Sequence, residues 1–203
     1  MAQRNCIPKN LVRLRGYIYD LEPSHEAYGS KYFKAHIALK RDDFCIIIHE
    51  HVAERISEDE FYEVLGILRN YGKKIGHLDP ARIFVTAAGV PSQKDEINSV
   101  EMIGEIRRLI PRTEHTEGFL SVPRTTGNYD VVPFAAWGAV SETLRGMLGR
   151  TVHIVGSLRG RRSDIETEDG EVNERVIYEV QITKVEDFTD EVEEDHAPGL
   201  QGS

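Results

Sequence analysis

The chain is poor in cysteine, in tryptophan and in long apolar runs, and each scarcity excludes something. Cys6 and Cys45 are the only thiols among 203 residues. Two cysteines make no disulfide framework and suit a reducing compartment. Cys45 lies inside the run FCIII and reads as a small buried apolar residue. No apolar stretch approaches the ~18 residues of a membrane span, so no membrane contact is expected. The opening MAQRNCIPKN lacks the apolar segment of a secretory signal. No G-x-S-x-G, P-loop or Rossmann glycine fingerprint occurs. Carboxylates crowd together mainly near the C-terminus, where so charged a segment cannot hold catalytic geometry. The expectation is a chain that is not an enzyme and carries no cofactor. His49-Glu50-His51 invites a metal reading but lacks the i, i+4 histidine spacing of a zincin helix, so no metal is expected there either.

The formal net charge is −9, but it is unevenly spread. Glu186, Asp187, Asp190, Glu191, Glu193, Glu194 and Asp195 gather seven acids into the last stretch. Residues 189–203 are expected to be a disordered acidic tail. Without those acids the body is close to neutral.

What is present is a repeat. Thr151 to Phe188 holds two β-branched runs around a polar tip, the pattern of a β-hairpin. Its first run, Val152-His153-Ile154-Val155-Gly156-Ser157-Leu158-Arg159, resembles Tyr62-Glu63-Val64-Leu65-Gly66-Ile67-Leu68-Arg69, 90 residues earlier. Val100 to Ile106 resembles Val12 to Ile18 at an offset of 88, anchored by Gly104 and Gly16. Gly118 pairs with Gly29 at an offset of 89. Self-similarity of this kind argues for two copies of one small β domain.

Alternation and turn residues divide the first copy into strands over 11–20, 31–41, 44–49, 61–71 and 81–90, with a loop over 21–30 and a short helix within 52–60. Residues 91–96 read as a linker. The second copy gives strands over 97–109, 118–124 and 129–137, a helix over 139–148 and then the hairpin. The order β-β-β-α-β-β, twice, is that of the OB-fold. The expected architecture is mainly β: two tandem five-stranded OB-fold barrels over 1–92 and 97–188, each with a short helix between strands three and four, followed by the acidic tail.

The run Val131 to Arg162 carries an aromatic-Gly pair (Trp137-Gly138), a short helix and a strand of the form V-x-V-x-G-x-L-R, approximated here as VHIVGSLR. It resembles the bacterial and phage single-stranded DNA-binding proteins. Residues 23–41, PSHEAYGSKYFKAHIALKR, resemble the tandem-OB branch of that family seen in Firmicutes. The family carries a stacking aromatic six positions before the tryptophan. Here that position is Val131, with Tyr129 two residues earlier on the same strand face. The family's acidic tip ending in Pro-Phe is absent. The resemblance implies a cytoplasmic, nucleoid-associated protein that coats single-stranded DNA in replication, recombination or repair, with replication or recombination proteins as partners. The family builds tetramers of single OB domains, and a homodimer of two-barrel chains would reach the same count.

Sequence-tolerant binding needs cations along the phosphates and aromatic faces for the bases. The residues expected to supply them are Arg13, Tyr17, Lys40, Arg41, Arg69, Tyr71 and Lys73 in the first copy, and Arg124, Tyr129, Arg159, Arg161 and Arg162 in the second. Arg69 and Arg159 stand out because they recur at equivalent positions. Trp137 ends an apolar strand next to a helix and reads as core. The competing reading is an OB module that docks proteins and does not itself grip DNA; the acidic balance and Val131 favour it.

Overall fold

The structure is a computed structural model that describes residues 10–69, 82–166 and 172–188, with the backbone alone described over 161–166 and 172–175. Tyr71 and Lys73 lie outside the described residues, as does the tail 189–203.

The first copy folds as β1 (Asn10–Ala27), β2 (Ser30–Ala38), β3 (Asp43–His49), α1 (Glu50–Ala53), β4 (Glu60–Arg69) and β5 (Arg82–Gly89). The second folds as β6 (Ile97–Pro111), β7 (His115–Pro123), β8 (Tyr129–Trp137), α2 (Gly138–Arg145), β9 (Thr151–Glu166) and β10 (Val172–Asp187). Strands pair in the order β2-β3-β5-β4-β1, and β1 also pairs β2, so the first sheet closes on itself. The second closes likewise through β7-β8-β10-β9-β6 and the β6–β7 pairing. In each barrel strand three meets strand five in parallel, and the remaining pairings are antiparallel. These are the two OB-fold barrels expected.

Alternation sends one row of each strand inward. On β8, Asp130, Val132, Phe134 and Ala136 are buried. On β1, Val12, Leu14 and Ile18 fill the core while Arg13 and Tyr17 stay exposed. The paired glycines mark where strands cross closely. A Cβ on Gly66 would stand 2.7 Å from the Phe84 carbonyl oxygen, and one on Gly104 2.6 Å from that of Ser121. Only glycine lets the backbones approach there. The helix α2 is tied down by a buried 2.8 Å hydrogen bond between Ser141 and Thr116.

Several local expectations change. β1 runs on through 21–27 because bulges between Tyr19 and Glu22 and between Pro23 and His25 absorb the proline, which has no N–H to give a ladder. Gly29 sits in the β1–β2 turn at φ 77°, whereas Gly118 lies inside β7 against the Phe134 ring. The true counterpart of Gly118 is Ala35: each pairs with the residue (Phe134 or Ile46) that meets strand five. Glu186 and Asp187, the first two of the seven acids, lie within β10 as the hairpin bounds imply, and pair with Lys184 and Arg150 respectively.

The barrels join through β1 and β6, which pair antiparallel with Val12 opposite Val100. Those two valines are equivalent residues of the repeat. Asn10 therefore faces Met102, and its counterpart Asn98 faces Leu14, the counterpart of Met102. The seam is a pseudo-two-fold axis folded into one chain. One hydrophobic cluster runs through both barrels.

Candidate nucleic-acid interface

The recurring arginines lie on this seam. Arg69, at the end of β4, donates to Asp130 at 3.0 Å, and Asp130 also pairs with Arg124. Arg159, on β9, donates to Asp42 at 2.6 Å. Asp42 and Asp130 occupy the same place in the two copies, so the barrels exchange equivalent ion pairs. Asp130 is 1 % exposed. Barrel two adds Tyr178, whose ring packs edge-on against Phe44 and whose hydroxyl accepts the Cys45 N–H at 2.6 Å. Burial raises the Tyr178 hydroxyl's pKa and, separately, that of the Cys45 thiol, so neither is charged near neutrality. Arg69, Arg124 and Arg159 thus hold carboxylates at the joint.

The other predicted residues are distributed differently. Arg13 bonds Glu63 at 3.0 Å, and the buried Arg15 bonds Glu63 and reaches Asp95 in the linker at 2.5 Å. Hydrogen bonds from Arg13 and Arg15 hold the Glu63 carboxyl below the ordinary glutamate range. Lys40 and Arg41 are exposed in the β2–β3 turn, and among the described residues no carboxylate pairs with either side chain. The turn is fixed through the Lys40 N–H, which donates to Glu96 at 3.1 Å. Tyr17 is half-exposed against the edge of Phe61. Arg161 and Arg162 do not sit in a loop: β9 carries them on as a two-stranded ribbon, opposite Ile177 and Val176.

The largest correction concerns Trp137, which is 44 % exposed rather than core. It has the parity of Tyr129, Val131 and Pro133 on β8, opposite to the buried row. Gly138 follows at φ 58°, a left-handed turn that swings the chain into α2 away from the indole. The indole stacks on His115 of β7, with ring centroids 5.3 Å apart and planes 19° apart. His115 in turn bonds Glu117 at 3.1 Å and holds its carboxyl below the usual range. Phe119 faces Pro133 on the same surface, and Tyr129, 59 % exposed, closes the far end. Beside Tyr129 a cleft of about 450 Å³ is lined by Arg107, Gly104, Pro123 and Phe188 among others.

The corresponding surface of barrel one has the same layout with residues exchanged. Tyr32 and His49 pair across β2 and β3 as His115 and Trp137 do across β7 and β8. Tyr32 meets His49 edge-on at 5.3 Å and stacks on His25 at 4.9 Å and 6°. Tyr19 lies against His36 and bonds Asp43 at 2.5 Å, which pushes its hydroxyl up to about 12.

The sequence held an unread signal for the seam. Asp42 and Asp130 recur 88 residues apart, as do Asn10 and Asn98. Each asparagine side chain donates to and accepts from one leucine backbone, Leu68 or Leu158, at 2.8–3.0 Å. It takes the place of a strand residue where the backbone has turned to the other barrel.

The chain matches no protein-family model and no curated protein. It is similar in structure to the wild-type single-stranded DNA-binding protein of Thermus aquaticus, at TM-score 0.66 and 14 % identity over 95 % of this chain and 96 % of that one. A deletion mutant of that protein gives 0.69 and 13 % over 92 % and 97 %. The N-terminal domain of PriB from Thermoanaerobacter tencongensis matches 41 % of this chain at 28 % identity with a TM-score of 0.35. Among the described residues no helix is long and apolar enough to cross a membrane. The chain thus shares, across both barrels, the fold of the Thermus aquaticus protein.

Proposed function

We propose that the chain binds single-stranded DNA without reading its sequence, laying bases on the outer faces of its barrels. The observation that carries this is the row Trp137, Phe119 and Tyr129 on barrel two, with Trp137 and Tyr129 exposed and Phe119 half-buried between them. None of these rings belongs to the buried cluster, and Trp137 and Tyr129 keep about half of their surface open. Stacking of this kind is worth roughly 1–3 kcal/mol per base and is indifferent to base identity. Lys40, Arg41 and Arg108 are exposed cations that can meet phosphates, and Arg107, paired with Glu105 at 2.9 Å, lies beside Arg108. Arg161 and Arg162 on the ribbon extend that supply. The role served is DNA replication, recombination or repair, in the cytoplasm.

Trp137 is the sole tryptophan, so its fluorescence reports on the site directly. Titration with oligo-dT of about 35 nucleotides should quench it. The affinity should fall as salt rises, with a log–log slope of ~0.7 per neutralised phosphate. A duplex of equal length should compete weakly. Absence of quenching and binding at low salt would overturn the reading and favour a protein-docking OB module.

A further inference from the structure

We infer that His49, Glu50 and His51 form a binding site for a borderline divalent transition metal such as Zn²⁺. The three lie at the corner where β3 turns into α1. One ligand atom from each, two imidazole nitrogens and a carboxylate oxygen, lies within 4.8 Å of the others. The imidazole rings are 5.0 Å apart and tilted by 37°. Imidazole nitrogen with one carboxylate oxygen is a donor set that suits zinc, cobalt, nickel and copper, and disfavours magnesium and calcium.

The spacing works here without a long helix. His49 is still extended, with φ −69° and ψ 146°, while Glu50 begins a single helical turn. That change of conformation brings side chains at i, i+1 and i+2 around one point, which a continuous strand or helix would not do. The site is open to solvent, because His51 is exposed and the other two are half-buried. His49 is braced by the edge contact to Tyr32, itself stacked on His25, so one ligand is partly pre-oriented. Among the described residues one hydrogen bond reaches the paired rings, a long one from the His51 N–H to His49 Nδ1 at 3.3 Å that caps α1. A metal on Nδ1 would replace it at small cost.

The fold does not require these residues. Their counterparts in barrel two are Trp137, Gly138 and Ala139, which offer no ligand, and that corner is built equally well. Three protein donors leave coordination positions for water or an outside anion, as in open zinc sites.

The test is calorimetric titration of the full chain with Zn²⁺, alongside long-range ¹H–¹⁵N spectra of the histidine rings. One equivalent should bind saturably, with the His49 and His51 resonances shifting together. Loss of an outer-shell partner already costs about 10–100-fold in metal affinity. His51→Ala, at an exposed position, should therefore weaken binding at least about tenfold without altering the thermal melt. His49→Ala/His51→Ala should abolish it. His36→Ala should leave a site of the same stoichiometry. No saturable binding, shifts confined to other rings, or binding unchanged in the His49→Ala/His51→Ala variant would each overturn the inference.

Discussion

Replacing Arg69 and Arg159 should loosen the joint between the barrels and leave the salt dependence of DNA binding unchanged. Asp130 is almost fully buried and accepts from Arg69 and Arg124. In Arg69→Ala the carboxylate keeps Arg124. The loss is then that of a hydrogen bond to a charged group, about 1.5–3 kcal/mol, and not the 3–5 kcal/mol or so of a stranded buried charge. The Arg69 side chain is a quarter exposed, so hydration returns part of it, and about 2 kcal/mol is expected. The Arg159–Asp42 pair is wetter, at 38 % and 11 % side-chain exposure, and about 1 kcal/mol is expected for Arg159→Ala. The pairs share no partner, so the two effects should add to about 3 kcal/mol. For a chain of this length that is a fall in Tm of about 6–12 °C.

Calorimetric melts and oligo-dT titrations at several salt concentrations on the same four proteins decide the matter. If these arginines gripped phosphates, the double variant would melt normally and its salt slope would drop by ~1.4. That outcome would refute the structural assignment. Lys40→Ala/Arg41→Ala is the control with the opposite signature, because no carboxylate in the described structure holds those side chains. It should lower the slope by up to ~1.4 and leave Tm in place.

Trp137→Ala should weaken oligo-dT binding by roughly 1–3 kcal/mol, about 5–150-fold, with little change in Tm; anisotropy of labelled DNA reads it once the fluorophore is gone. Glu63 has a pKa depressed in the folded chain, so its stabilisation is present above the ordinary glutamate value, ~4.3, and is lost as pH falls through the folded value. Glu63→Gln should flatten the loss of stability below roughly pH 4.3, and the acid limb of Tm against pH should show it. Asn98→Ala strips two hydrogen bonds from the Leu158 backbone and should cost about 1–3 kcal/mol, with faster hydrogen exchange at the Leu158 amide.

Much of the barrel was legible because alternation and glycine spacing are local. Gly16 with Gly104, and Gly66 with Gly156, anchored the repeat in the sequence, and in the structure they are the positions of close strand approach. The destination of Arg69 and Arg159 was not legible. It depends on the Val12–Val100 register between copies, and nothing in either local sequence states that β1 and β6 are neighbours. The recurrence of Asp42 and Asp130 at the repeat spacing was visible, and two charges of opposite sign repeating together point to a mutual contact rather than to an outside partner. Trp137 was misplaced for another reason. Its size and the helix after it suggested core, but its parity on β8 is that of Tyr129. In a strand the period of two decides which way a side chain faces, whatever its bulk.

The two copies agree where the frame is built and differ where it meets solvent. Asparagine, arginine, aspartate and glycine recur at the seam and the crossings. On the outer faces Tyr32 and His49 stand where His115 and Trp137 do. This exchange makes the barrels unequal as stacking platforms. The Tyr32 ring is already occupied, with His25 parallel on one side and His49 at its edge. Among the described residues Trp137 has one ring partner, His115, and it keeps 44 % of its surface open. A base therefore reaches the exposed indole more readily than the half-buried Tyr32 ring, which two histidines flank. Tyr32→Ala should accordingly cost less than about 1 kcal/mol in oligo-dT affinity, below the range for an intact stacking contact. Equal losses from Tyr32→Ala and Trp137→Ala would mean that the His25 stack opens when DNA binds, and that the barrels share the strand evenly.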